Sequence, residues 1–176
     1  MEFRVVQGDI ARRSADALVN AAGTSLEMGS GVAGALKRRA GRGLNDAATA
    51  QGSVDLGAVA VTDAFELDAN WVIHAAAMPH YGDGQATDDS IREATRNALE
   101  RADELGCESL VIPALGCGVA GFDLEDGARI ICETIDAYDP SSLGDVRFVA
   151  YDESEYETVE RVARDVRGGT DGPAAD

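Results

Sequence analysis

Two near-identical glycine hexapeptides carry the clearest chemistry in this chain. Gly29-Ser30-Gly31-Val32-Ala33-Gly34 recurs as Gly116-Cys117-Gly118-Val119-Ala120-Gly121, changed only at the second position. Each copy follows an apolar stretch of strand character, at once or after a few residues, and each precedes a stretch of helical character. A glycine-rich turn that opens a helix presents unpaired backbone N–H groups, and the helix dipole adds partial positive charge there. One such loop cradles a phosphate. Two on one small domain can hold a diphosphate from both sides, so a nucleotide diphosphate is the first ligand to consider.

Other readings of these residues exist. A single Gly-x-Gly-x-x-Gly also opens the Rossmann dinucleotide fold, and Asp55 falls about twenty residues beyond the first copy, where that fold places its acid. Yet residues 23–28 separate the preceding strand from the loop, Asp55 lies between a helix and a strand, and that fold does not call for a second copy. The plain structural alternative is a pair of tight strand-to-helix turns. Elsewhere, His74 sits inside an apolar run and reads as a core histidine. His80 and Tyr81 follow Pro79 in a loop, either exposed or against the ligand. Cys117 lies among loop N–H groups that would lower its pKa, but no partner base is evident. Asp123 and Asp126 flank a helix start and suit its N-terminus.

The elements that must position these residues alternate along the chain. Strand character falls at 3–7, 17–21, 58–64, 71–76, 109–113 and 146–151. Helical character falls at 32–41, 44–51, 90–105, 124–137 and 154–166. The third helix is the clearest, with Ile91, Ala94, Ala98, Leu99, Ala102 and Leu105 recurring near period 3.6 and Gly106 suited to its C-terminal cap. This alternation implies an α/β fold, a three-layer α/β/α sandwich with a mostly parallel sheet. Ligands in such sheets bind at the C-terminal ends of strands, so both glycine loops belong on that edge. One domain over 1–166 is expected, followed by a disordered tail at 167–176.

Composition narrows the partners. The chain has 32 acidic and 15 basic residues, a net charge of -17, and Lys37 as its single lysine. The acids are dispersed over helix faces, as at Asp88, Asp89, Glu93, Glu100, Asp103 and Glu104. Such a coat repels nucleic acid and anionic membranes. It resembles the surfaces of proteins that fold in concentrated salt, where self-repulsion is screened; an ordinary acidic cytosolic protein is the alternative. Cys107, Cys117 and Cys132 are odd in number and lack Cys-x-x-Cys spacing, which argues against a disulfide framework or zinc site and for a cytoplasmic setting. No apolar run reaches the roughly 18 residues of a membrane span, and the N-terminus opens into Phe3-Arg4-Val5-Val6 without a signal peptide. No cofactor or metal is expected.

Further motifs sharpen the picture. Gly8-Asp9-Ile10, Ala17-Leu18-Val19-Asn20-Ala21-Ala22, Leu26, Gly29-Ser30-Gly31-Val32, Val72-Ile73-His74 and Ile112-Pro113-Ala114-Leu115-Gly116-Cys117-Gly118-Val119 occur in the order and spacing of a known signature. Over residues 5–155 the chain resembles macro domains. The resemblance implies a mixed six-stranded sheet between helices and binding of ADP-ribose or a derivative, free or on ADP-ribosylated proteins. It implies that Asp9 accepts from the adenine amine and so rejects guanine, which has a carbonyl there; a helix N-cap is the alternative role. Ile10 would offer its backbone N–H to the ring, and Tyr151 would stack on it, with Tyr156 less well placed. Asn20 joins the ligand-binding set through its motif. Gly29, Ser30, Gly31 and Val32 match the loop around the distal ribose and diphosphate. Gly116, Cys117, Gly118, Val119 and Ala120 match the second phosphate loop, continued by Gly121, and Phe122 would wall off the distal ribose.

The departures concern catalysis. Many catalytic relatives carry a second Asn where this chain has Gly23. One hydrolase branch has Asp at the position of Ala33, and a frequent His of the family is Lys37 here. Another branch uses an Asp at the position of Ala120 and a Lys near Ala75. Neither set is present, so no catalytic residue is assigned. A binding module is the first expectation. The alternative is a hydrolase at the distal ribose, an O-acetyl-ADP-ribose deacetylase or mono-ADP-ribosyl-protein hydrolase, in which a substrate diphosphate oxygen orients the water. A missing general base costs about 10²- to 10⁴-fold in rate.

Overall fold

The computed structural model describes residues 1–80, 82–118 and 121–169. The strands are β1 (Glu2–Gln7), β2 (Ala17–Gly23), β3 (Val59–Asp63), β4 (Trp71–Met78), β5 (Ser109–Ile112) and β6 (Asp145–Ala150). The helices are α1 (Gly31–Ala40), α2 (Leu44–Thr49), α3 (Asp88–Glu104), α4 (Leu124–Ala137) and α5 (Glu153–Gly169), with a 3-10 turn at Ile10–Arg12. The sheet runs β1-β6-β5-β2-β4-β3, and only β3 is antiparallel to its neighbour.

Strand alternation sorts the core into two layers. Ala17, Val19, Ile73, Ala75, Leu110, Ile112, Val146 and Phe148 face α3, α4 and α5. Leu18, Ala22, Val72, Val111 and Val149 face α1, α2 and the 3-10 turn. Because both faces are covered, the central strands read as nearly continuous apolar runs. Helix α3 starts two residues before its apolar periodicity does. Thr87 Oγ1 accepts from the Ser90 N–H at 3.0 Å and Ser90 Oγ from the Thr87 N–H at 2.8 Å, a reciprocal cap that fixes the start. Helix α5 continues to Gly169, past the expected end at Val166.

Polar side chains inside the sheet are accounted for across strands. His74 is fully buried, and burial lowers its pKa to about 4. The neutral ring accepts at Nδ1 from Asn20 Nδ2 at 3.0 Å and donates from Nε2 to Thr62 Oγ1 at 2.9 Å. The chain of bonds therefore joins β2, β4 and β3. A polar cavity of about 350 Å³ lined by Ser14, Asp16, Asp68, Asn70 and Ser109 lies at the opposite edge, beside the N-terminal ends of β2, β4 and β5. There Asp16 Oδ2 accepts from the Glu108 and Ser109 N–H groups and ties two strand starts together.

Candidate functional site

The sheet opens where β2 meets β5. Their ladder is confined to Ala17↔Leu110 and Leu18↔Val111, whereas β2 pairs with β4 from Ala17↔Trp71 to Gly23↔Met78. The helix after β2 lies on one face and the helix after β5 on the other. That reversal leaves a crevice at the C-terminal strand ends, the general ligand position in open α/β sheets. The β2–β4 register shifts between Ala22 and Gly23, where Ala77 of β4 is passed over: Ala22 pairs with Ala76 and Gly23 with Met78.

The two loops are built differently. The first runs directly into α1. Ser30 is the N-cap residue but its side chain makes no capping bond, and no acid occupies the first turn. Among the described residues α1 is the single α-helix without an acid in its first turn: α2 has Asp46, α3 Asp88 and Asp89, α4 Glu125 and Asp126, and α5 Glu153 and Glu155. In a chain with 32 acids this leaves one helix end with bare N–H groups and an uncompensated dipole. Gly31 has φ +63°, and a Cβ there would have nothing within 4 Å. Two cations lean back along the helix toward this loop, as helical side chains do. Lys37 Nζ lies 3.4 Å from the Met28 carbonyl, and a Cβ on Gly34 would lie 3.2 Å from Arg38 Nη1.

The second hexapeptide does not open its helix directly, in line with the helical character that begins at 124 in the sequence. Residues 122–123 intervene before α4, and Asp123 Oδ2 already caps it by accepting from the Asp126 N–H at 3.0 Å. This loop therefore offers turn N–H groups rather than a helix end. Gly116, Gly118 and Gly121 all have positive φ, at +76°, +71° and +78°. Gly118 opens onto free space, whereas a Cβ on Gly116 would lie 2.7 Å from Ala86 Cβ and 2.9 Å from Ile91 Cγ1. Val119 and Ala120, and likewise Tyr81, lie outside the described residues. The Cys117 expectation is corrected. Its thiol is pushed up to about 12 by burial and then by the charges of Glu155 and Asp123, so it stays protonated. Its Sγ fills the space left by Gly127.

At the β1 and β6 ends, the Gly8 N–H donates to Ala150 O at 2.8 Å, so Asp9 and Tyr151 leave adjacent strands side by side. Asp9 does cap the 3-10 turn: Oδ1 accepts from the Ala11 N–H at 2.9 Å. Its Oδ2 lies 3.9 Å from Arg12 Nε. Capping thus uses one oxygen and leaves Oδ2 with only the long contact to Arg12, so the two roles considered for Asp9 are compatible. Ile10 is buried, with its backbone at the start of the turn. Tyr151 is 72% exposed, whereas Tyr156 packs on the core. Asn20 is buried beneath the crevice; its amide nitrogen is bound to His74 and its Oδ1 has no partner. Phe122 closes the second loop through its N–H to Gly116 O at 3.3 Å and packs on the core.

One feature escaped the sequence reading. The connection from β4 to α3 touches the second glycine loop and the segment between β2 and the first. His80 bonds to Thr24 and Ser25 beside the first, and Gln85 and Ala86 pack against Gly121 and Gly116 of the second. The signal was Gly23, whose missing side chain admits the Pro79 carbonyl: a Cβ there would lie 3.1 Å from it. Among the described residues no group of three or more His, Cys, Asp or Glu side chains could hold a metal ion, and no helix is long and apolar enough to cross a membrane.

An α/β/α sandwich with two glycine loops over a central sheet crevice defines a class of ligand-binding module. The Macro domain family model matches residues 19–131, and the chain belongs to that family. A macro domain-containing protein of Streptomyces nogalater is 40% identical over 164 residues, covering 89% of each chain. The Oceanobacillus iheyensis macrodomain with ADP superposes with a TM-score of 0.84 at 26% identity, covering 94% of this chain and 91% of that one. The Trypanosoma brucei macrodomain in complex with ADP-ribose gives 0.78 at 27% identity, covering 89% and 67%. Against a Mycobacterium bovis relative, 39% identical over 151 residues, the chain spans 42% of the relative's length.

Proposed function

We propose that the protein binds ADP-ribose, free or attached to protein, along the C-terminal edge of its sheet. The observation that carries this reading is the N-terminus of α1: it alone among the described α-helices keeps acids away from its first turn and leaves open space over its glycine. The strand order then arranges the ligand. Adenine lies at the β1 and β6 ends between Asp9 and Tyr151. The diphosphate lies between the loops after β5 and β2, and the second ribose reaches the β2 and β4 ends. Five strand ends span about 19 Å, room for those groups in a row. Backbone N–H groups neutralise the phosphates, so the overall negative charge is no obstacle. Solved macrodomains in complex with ADP and ADP-ribose support the same ligand class.

The test is calorimetric titration with ADP-ribose and GDP-ribose. ADP-ribose should bind well and GDP-ribose poorly. Asp9→Ala should weaken ADP-ribose binding by about 1.5–3 kcal/mol, the worth of a hydrogen bond to a charged acceptor. Equal affinity of wild type and Asp9→Ala would discard the adenine assignment.

A further inference from the structure

We propose that the free edge of β3 pairs with β3 of a second copy of this chain, joining two six-stranded sheets about a two-fold axis at Val61. β3 is the last strand of the sheet, at the opposite end from β1. The Ala76 N–H donates to Ala58 O at 3.0 Å, and the antiparallel ladder continues through Ala60↔His74 and Thr62↔Val72. Alternation then turns the N–H and C=O groups of Val59, Val61 and Asp63 away from β4. Such an edge templates another strand unless charge, proline or a covering segment blunts it. The β1 edge is blunted: Arg4 lies within the strand, and Arg167 Nη1 reaches from α5 to donate to Phe3 O at 2.9 Å. β3 reads Val59-Ala60-Val61-Thr62-Asp63, without Lys, Arg or Pro. Among the described residues its outward backbone takes a hydrogen bond from Gln51 alone. That exposed amide donates from Nε2 to Val61 O at 2.5 Å, where an incoming N–H would bind.

Apolar side chains bracket this edge. Among the described residues the exposed large hydrophobics are Met1, Leu56, Phe65, Trp71 and Tyr151. Met1 is terminal and Tyr151 belongs to the adenine assignment. The other three surround β3: Leu56 precedes it, Phe65 follows it, and Trp71 pairs with Asp63 across the ladder. Phe65 sits there at φ +53°, a left-handed conformation unfavourable for a bulky residue, with its N–H donating to Asp63 Oδ1 at 2.8 Å. A second copy fits this edge because the edge is complementary to itself. In an antiparallel pair centred on Val61, Val61 faces Val61, and Val59 faces Asp63 of the second copy. Within the paired strands no acid then faces an acid, although each copy carries a net charge of -17. The same axis sets Leu56 level with Phe65 and Glu66 of the second copy, which brings apolar side chains together. Val59 and Val61 already pack on the core layer beneath α3, so pairing extends that layer across the junction. With the β1 edge blunted, association closes at two copies.

The experiment is light scattering on the full chain over a concentration series in molar KCl, where the Debye length is about 3 Å. Amide hydrogen exchange runs in parallel, and circular dichroism checks that each variant is folded. Wild type should approach twice the chain mass as concentration rises, and the Val59, Val61 and Asp63 N–H groups should gain protection with it. Val61→Pro costs no ladder bond, because that N–H points away from β4. It should raise the dimer dissociation constant by about 10- to 100-fold, through loss of one hydrogen bond on each side of the axis. Val61→Lys keeps the N–H but sets two ammonium groups opposite one another, and should weaken the dimer as well. A wild type that stays monomeric, with these amides exchanging freely at every concentration, overturns the inference and leaves the edge to a different partner strand. A dimer of undiminished strength in Val61→Lys, or one whose β3 amides stay unprotected, also overturns it by placing the contact elsewhere. If Val61→Pro fails to fold, Val61→Lys and the wild-type exchange pattern still decide the question.

Discussion

Mild acid should destabilise this fold through one buried ring. His74 is fully buried between Asn20 Nδ2 at 3.0 Å and Thr62 Oγ1 at 2.9 Å, and its folded pKa is about 4 because burial penalises the charged form. In the unfolded chain the imidazole titrates near 6.5. Between those values the unfolded state takes up a proton that the native state refuses, so stability falls as pH falls through the window. The linkage amounts to about 2 kcal/mol lost on going from pH 7 to pH 5, and about 3 kcal/mol by pH 4. Urea unfolding at pH 7 and pH 5, in constant molar KCl, measures it. His74→Gln keeps an amide in place of the ring and removes the titration, so its stability should fall by about 2 kcal/mol less than wild type over the same interval. All other titrating groups, including the acidic coat, are common to the two proteins. Equal losses in wild type and His74→Gln would refute the argument.

Two further outcomes follow from the same structure. Gly116→Ala should destabilise the fold by about 1–3 kcal/mol in urea, because its Cβ meets Ala86 and Ile91 at 2.7 and 2.9 Å; an unchanged midpoint would contradict that packing. Thermal melts in low and molar KCl should differ widely, because the net charge of -17 is self-repulsive and salt screens it; a flat salt dependence would remove the halophilic reading and leave the fold untouched.

Most of the architecture was legible in the sequence because each element announces itself locally. Alternating or continuous apolar runs gave all six strands, and α4 has the same bounds, 124–137, in sequence and structure. The hidden features depend on distant residues. That β2 and β5 part after two pairs is a matter of topology. Cys117 lies among glycines in sequence but in space is half-buried near Glu155 and Asp123, which reverses its expected pKa shift. The sequence left His80 either exposed or against the ligand, because its partners, Thr24 and Ser25, are more than fifty residues away.

The most direct test of the central claim is whether two loops hold one diphosphate. A Cβ at Gly31 or Gly118 meets nothing within 4 Å, so Gly31→Val and Gly118→Val should leave the core folded, with a local backbone cost of about 1–2 kcal/mol for the left-handed conformation. Each side chain would stand where a phosphate must approach. Removing two charge-assisted hydrogen bonds costs about 3–6 kcal/mol, enough to abolish ADP-ribose binding in a calorimeter. On the proposed placement, with adenine between Asp9 and Tyr151, adenosine carries no diphosphate and should lose much less. ADP-ribose binding by folded Gly118→Val at wild-type strength would contradict the two-loop clamp.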